Sequence, residues 1–153
     1  MFPNSYNGNQ FWEAENFALG AAIFDWRPRF SDLPVQYPVL SRHWNETPQD
    51  CVFPGGESMH QVFDRASSAL RTILAESAGK TVLVASHGCL LRNMACALLY
   101  GTVDALPQVV LSGNTSVSEF EVSEAGVRVV RMNDLSHLPP ELRGDPHQYD
   151  LKK

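Results

Sequence analysis

The residues whose types and spacing suit chemistry lie in Thr81-Val-Leu-Val-Ala-Ser-His-Gly-Cys-Leu-Leu-Arg92. An apolar run rich in β-branched residues, Thr81 to Ala85, breaks at Ser86, His87 and Gly88. A second apolar pattern follows at helical spacing, through Leu90, Leu91, Met94, Ala95 and Leu98, and stops at Gly101. The order is strand, tight turn and helix, with a histidine at the turn. In open α/β sheets ligands collect outside the carboxyl ends of the strands. The first amides of a helix also carry partial positive charge that favours an anion. An imidazole beside free amides suits a phosphate or a carboxylate. The plainer role for His87 is to cap the helix or to bond within the turn.

Two other chemistries can be weighed on the same stretch. A Cys-x5-Arg phosphatase loop starting at Cys89 needs arginine at position 95, where Ala95 stands. A nucleophile elbow places Ser86 on the strand-to-helix turn, and His137 follows in the right chain order for a triad. The first glycine of that motif is replaced by Val84, which fits a buried strand better. A serine hydrolase using Ser86 therefore stands as an alternative.

The elements that must position the turn are legible nearby. Pro54-Gly-Gly-Glu-Ser58 makes a turn, and Ser58 is placed to cap a helix. Met59, Val62, Phe63, Ala66, Ala69, Leu70, Ile73 and Leu74 then give one continuous apolar face. Gly79 is expected to end that helix, directly before the strand from Thr81. Helix, strand and helix in this order predict part of a parallel α/β layer, with Thr81–Ala85 buried inside it. Further on, residues 116–122 and 127–132, joined at Ala125-Gly126, predict a hairpin. Val39 to Trp44 predicts a short helix before Pro48. Residues 1–10 read as a loose end, and prolines 28, 34 and 38 forbid a long helix across residues 23–38.

The chain has 153 residues, 44% of them hydrophobic, enough for one domain with a real core. A net charge of −5 gives no electrostatic footprint for nucleic acid. No run of apolar residues is long enough to span a membrane, and Met1 to Asn7 lack the pattern of a signal peptide. Cys51, Cys89 and Cys96 have neither disulfide-framework nor zinc spacing. The expectation is a reduced, cytoplasmic protein without metal or cofactor.

Three pieces stand together in order: Pro54-Gly-Gly-Glu-Ser58 leading to Arg65, Val82-Leu-Val-Ala-Ser-His-Gly88, and Met132-Asn-Asp-Leu-Ser-His-Leu138. With Asn114-Thr115 before the hairpin, they resemble the C-terminal part of the histidine phosphatase (phosphoglycerate mutase-like) superfamily. The likeness covers residues 54–138 and extends faintly through Tyr37-Pro38, Trp44 and Pro48. Phe24-Asp-Trp26 and Phe30-Ser-Asp-Leu33 look like a worn version of an earlier family stretch. The resemblance implies an α/β three-layer sandwich with a mostly parallel central sheet flanked by helices. Residues 1–153 are expected to form one domain, and 135–153, with prolines 139, 140 and 146 and no periodic pattern, a surface tail. The resemblance also implies phosphomonoester hydrolysis or mutase-type transfer through phosphohistidine, on a small phosphorylated substrate or inorganic phosphate. His87 matches the family's second, phosphoryl-holding histidine, and Gly88 offers its amide. Phosphoryl transfer depends chiefly on positioning and charge neutralisation, which such a pair supplies.

The family's nucleophile lies in an Arg-His-Gly motif, which does not occur in these 153 residues. Arg42-His43-Trp44 imitates it, but Trp44 replaces the glycine, and the position lies too close to Gly55 for the intervening strands and helices. His43 is therefore expected on a surface helix. Glu15, Asp25 and Asp32 are the candidates for the family's acid. The expectation is a domain truncated at its N-terminus, with upstream codons encoding a strand that ends in Arg-His-Gly. A degenerate, non-catalytic binding module is the other reading. A strand without its neighbour would also favour homo-oligomers. Among the remaining polar residues, Glu57 is expected to complement a helix dipole. Arg65 is open between a phosphate and a local carboxylate. Arg92 faces an anion or solvent, His137 ties down the hairpin end, and His60 and His147 are surface residues.

Overall fold

A computed structural model describes residues 33–143. Glu15, Asp25, Asp32 and His147 lie outside these residues. The described chain runs α1 (Leu33–Gln36), α2 (Pro38–Glu46), α3 (Met59–Glu76), α4 (Gly88–Tyr100), β1 (Val117–Ser123) and β2 (Gly126–Asp134). Short 3-10 turns lie at Pro48–Asp50, Val103–Gln108 and Pro140–Leu142.

Helix α3 forms where its signals are strongest. The Gln61 amide donates to Ser58 Oγ at 3.2 Å, and the Ser58 amide donates to Gln61 Oε1 at 2.8 Å. This reciprocal box satisfies two donors that the first helical turn leaves unpaired. Met59, Val62, Phe63, Ala66, Ala69 and Ile73 are buried along one face, while Leu74 turns partly outward. The fully buried Ala66 lets neighbouring elements approach, and α3 packs on α4. Gly79 is not the helix end itself. The helix stops at Glu76, and Gly79 takes a left-handed φ of 72° in the turn that follows, where the Lys80 amide donates to the Ser77 carbonyl. Replacing Ser58 by alanine should lower stability by about 1 kcal/mol in urea unfolding. An unchanged midpoint would mean that packing alone holds the helix start.

Helix α4 ends as its sequence predicts. Gly101 adopts φ 70° and its amide bonds the carbonyls of Ala97 and Cys96 at 3.1 and 3.3 Å. Its core face carries Leu90, Met94, Ala95 and Cys96, together with the fully buried Asn93. These join Cys51, Phe53, Val103, Leu106 and Val109 in the core. Trp44 meets Phe53 edge to face at 6.2 Å, fastening α2 to the segment before the Gly-Gly turn.

The described residues do not show the expected parallel sheet. Among the described residues the one sheet is the antiparallel pair β1–β2, and no parallel ladder is present. Thr81–Ala85 belongs to no strand there and is not buried on both faces. Its exposure alternates: Val82 and Val84 pack against the core, whereas Leu83 is 86% exposed. A period of two is what an extended segment shows when only one face is covered. An apolar run specifies extended backbone and burial potential, but a ladder requires a partner strand.

The hairpin turns one residue earlier than its sequence pattern suggests. Ser123 pairs with Gly126, so Glu124 and Ala125 make the turn, and Gly126 takes φ 121° on the second strand. Phe120 opposes Val129 and Val122 opposes Val127, with a bulge near Glu119. Arg131 pairs with Glu119 at 2.8 Å, and Arg128 Nε with Glu121 at 2.9 Å.

Candidate functional site

The turn between the extended segment and α4 sets the site. His87 is the N-cap residue, with extended backbone (φ −99°, ψ 150°), and its side chain makes no capping hydrogen bond. The imidazole is exposed. The His87 backbone carbonyl accepts the Leu91 amide at 2.9 Å, so the helical ladder starts there. The amides of Gly88, Cys89 and Leu90 lie ahead of that ladder, at the positive end of a helix of 13 residues. The capping role that the sequence left open for His87 is therefore not the one its side chain takes.

The three separated sequence pieces converge on this turn. From the first, Met59 Sδ lies 3.9 Å from Cys89 Sγ, and Glu57 and Arg65 stand near enough to act electrostatically on the Cys89 thiol. Arg65 Nε donates to both oxygens of Glu57, at 2.9 and 3.2 Å. A guanidinium held this way aligns the Gly-Gly-Glu-Ser segment with α3. Glu57 thus serves an ion pair rather than only the helix dipole.

The third piece reaches the turn through the loop before the hairpin. Asn133 Oδ1 accepts the Gly113 amide at 2.8 Å, and Asn133 Nδ2 donates to the Leu111 carbonyl at 3.1 Å. Between them, the Ser112 carbonyl lies 3.1 Å from where a Cβ on Gly88 would sit. Close approach, not φ, is what favours glycine there. The hairpin end is thus tied by Asn133. His137 is exposed and makes no hydrogen bond among the described residues, so the tie expected of it is absent and Ser86 gains no triad partner from it.

Arg92 is half-buried and its side chain turns to backbone carbonyls. It donates through Nε to the Val109 carbonyl at 2.6 Å and through Nη2 to the Leu106 carbonyl at 3.0 Å. Burial pushes its guanidinium below its ordinary value, with nearby cysteines opposing the shift. His43 lies on α2, where Nδ1 is 2.7 Å from Thr47 Oγ1 and 4.0 Å from Asp50. That is a local cluster on the helix expected for it. His60 is exposed in the first turn of α3.

Asn93 escaped sequence reading. It is wholly buried, donating to the Cys89 carbonyl at 2.9 Å and approaching Met59 Sδ at 3.3 Å. The only sequence signal is a polar residue inside an otherwise apolar helix. No group of three or more histidine, cysteine or acidic side chains able to hold a metal occurs among the described residues, and no helix there is long and apolar enough to cross a membrane.

Comparison with known proteins follows the same geometry. A family model described as the histidine phosphatase superfamily (branch 1) matches residues 22–135. Phosphoserine phosphatase 1 of Hydrogenobacter thermophilus is 31% identical over 103 residues, covering 67% of this chain and 48% of that protein. The solved structure of Bacillus stearothermophilus YhfR superposes with a TM-score of 0.62 at 27% identity, covering 74% of this chain and 56% of the other. The chain thus spans about half the length of the curated relative it matches. By the extent of the family match, the chain belongs to the histidine phosphatase superfamily.

Proposed function

We propose that His87 and the amide of Gly88 hold the phosphoryl group in a phosphomonoester hydrolase that works through phosphohistidine. The observation that carries this is an exposed imidazole with no capping bond, standing at the N-terminus of α4 beside amides outside the helical ladder. Family membership supports phosphatase-type chemistry, and the name of the Hydrogenobacter relative supports a small phosphomonoester as substrate. In this reading the ester O–P bond breaks as an N–P bond forms to the histidine that the family carries in Arg-His-Gly. His87 donates to a non-bridging oxygen, and the helix amides offset charge as it gathers on the phosphoryl oxygens. Water then cleaves the N–P bond to release phosphate. The mostly parallel three-layer sandwich of the family is part of the same proposal, with Thr81–Ala85 as one of its strands.

Inorganic phosphate tests the seat directly. Titration into the full chain should move the amide resonances of Gly88, Cys89 and Leu90, and His87→Ala should weaken binding about tenfold or more, the loss of one charge-assisted hydrogen bond. Equal affinity in His87→Ala, or shifts confined to the start of α3, would remove the proposal.

A further inference from the structure

The segment from Leu106 to Gly113 is held at both ends by side chains from other elements. Arg92 grips the carbonyls of Leu106 and Val109 at one end. Asn133 brackets the other, bonding the Leu111 carbonyl and the Gly113 amide with the two halves of one side-chain amide. Ser112 lies between these last two contacts, and its carbonyl oxygen stands 3.1 Å from where a Cβ on Gly88 would sit.

Asn133 is itself held in an unusual conformation. Its φ is 55°, and its own amide donates to Ser118 Oγ at 2.9 Å. The other non-glycine residue with positive φ among the described residues is Thr115, at 62°, two residues after Gly113. A β-branched residue there is costly and persists only where its surroundings over-determine it. Thr115 follows the segment whose Ser112 carbonyl approaches Gly88, and Asn133 bonds that segment from β2.

We propose that Asn133 is a positioning residue of the phosphoryl seat: it pins the Ser112 carbonyl against Gly88 and so fixes the aim of His87 and of the Gly88 amide. The proposal rests on the seat reading above for its functional consequence. Its structural core, a rigid link from Asn133 through Ser112 to Gly88, stands on geometry alone. A Cβ at position 88 would meet the Ser112 oxygen at 3.1 Å, so the carbonyl must yield by a few tenths of an ångström. A pinned carbonyl resists that movement, and an unpinned one allows it.

A double-mutant cycle on the full chain reads the link. Asn133→Gly keeps the left-handed backbone accessible while removing both side-chain bonds. Asn133→Asp keeps the acceptor for Gly113 but sets an oxygen against the Leu111 carbonyl, and serves as the second variant. Gly88→Ala should lower the urea midpoint in the parent, and by less than half as much in either Asn133 background. Both Asn133 variants should shift the Gly88 amide resonance while leaving those of Ala66 and Ala69 in α3 in place. Both should also weaken inorganic phosphate binding at least fivefold. Additive midpoints with an unmoved Gly88 amide would overturn the proposal, even if the parent binds phosphate through His87. Coupled midpoints in a parent that binds no phosphate would retain the link and refute the seat.

Discussion

Arg92→Ala should destabilise the fold by about 3 kcal/mol, because it removes two hydrogen bonds from a charged donor. The carbonyls it holds belong to Leu106, wholly buried, and Val109, 2% exposed. The Leu106 oxygen keeps a second partner, the Val109 amide at 3.0 Å. The Val109 oxygen has no such backbone donor among the described residues, so its loss falls near the full cost of an unsatisfied buried acceptor. Arg92→Lys should recover less than half of the deficit. An ammonium keeps the charge but lacks the planar fork that spans two carbonyls one helical turn apart. The urea midpoint measures both variants. An Arg92→Ala midpoint equal to the parent's would show that the contacts contribute nothing net after the guanidinium's own burial is counted.

Stability should fall steeply as pH rises above about 9, through the buried thiols. Burial pushes the Cys89 thiol up to about 11 and the Cys51 thiol up to about 12, with nearby Arg92 opposing both shifts. Cys96 is raised in the same direction and for the same reason. In the unfolded chain these thiols ionise from about pH 9, while the folded chain keeps its protons. The unfolded state then binds fewer protons, so stability declines with pH in this window and is unaffected by these groups below it. Each thiol contributes a slope approaching about 1.4 kcal/mol per pH unit between its unfolded and folded values. For a domain whose total stability is about 5–15 kcal/mol, two such slopes remove much of it by pH 11. Urea midpoints at pH 8, 9 and 10 give the slope. The Cys51→Ala, Cys89→Ala double variant should start less stable at pH 8 but decline more gently. Parallel slopes in parent and variant would assign the alkaline loss to other groups. The same burial makes these thiols poor nucleophiles, which argues against redox chemistry at Cys89 despite its place beside His87.

The sequence by itself determined the local elements whose signals act within a few residues. Ser58 with Gln61, the apolar face of α3, Gly101 and the His87–Gly88 turn each depend on near neighbours in the chain. Capping, helical periodicity and left-handed closure are short-range effects, and they survive any rearrangement of distant elements. Family membership was also legible, because three short pieces in fixed order are specific together. Tertiary structure decided what those pieces touch. Arg92 has the same local surroundings whether it faces an anion, solvent or a pair of carbonyls, and only the course of residues 106–109 settles the matter. Asn133 and His137 share one motif, yet the chain path gives the clamp to Asn133 and leaves His137 exposed. The Thr81–Ala85 run shows the limit most clearly. Its residues alternate, with Val82 and Val84 facing the core, but pairing joins residues far apart in sequence. A hydrogen-bonded ladder is a property of two segments, and no single run can specify it.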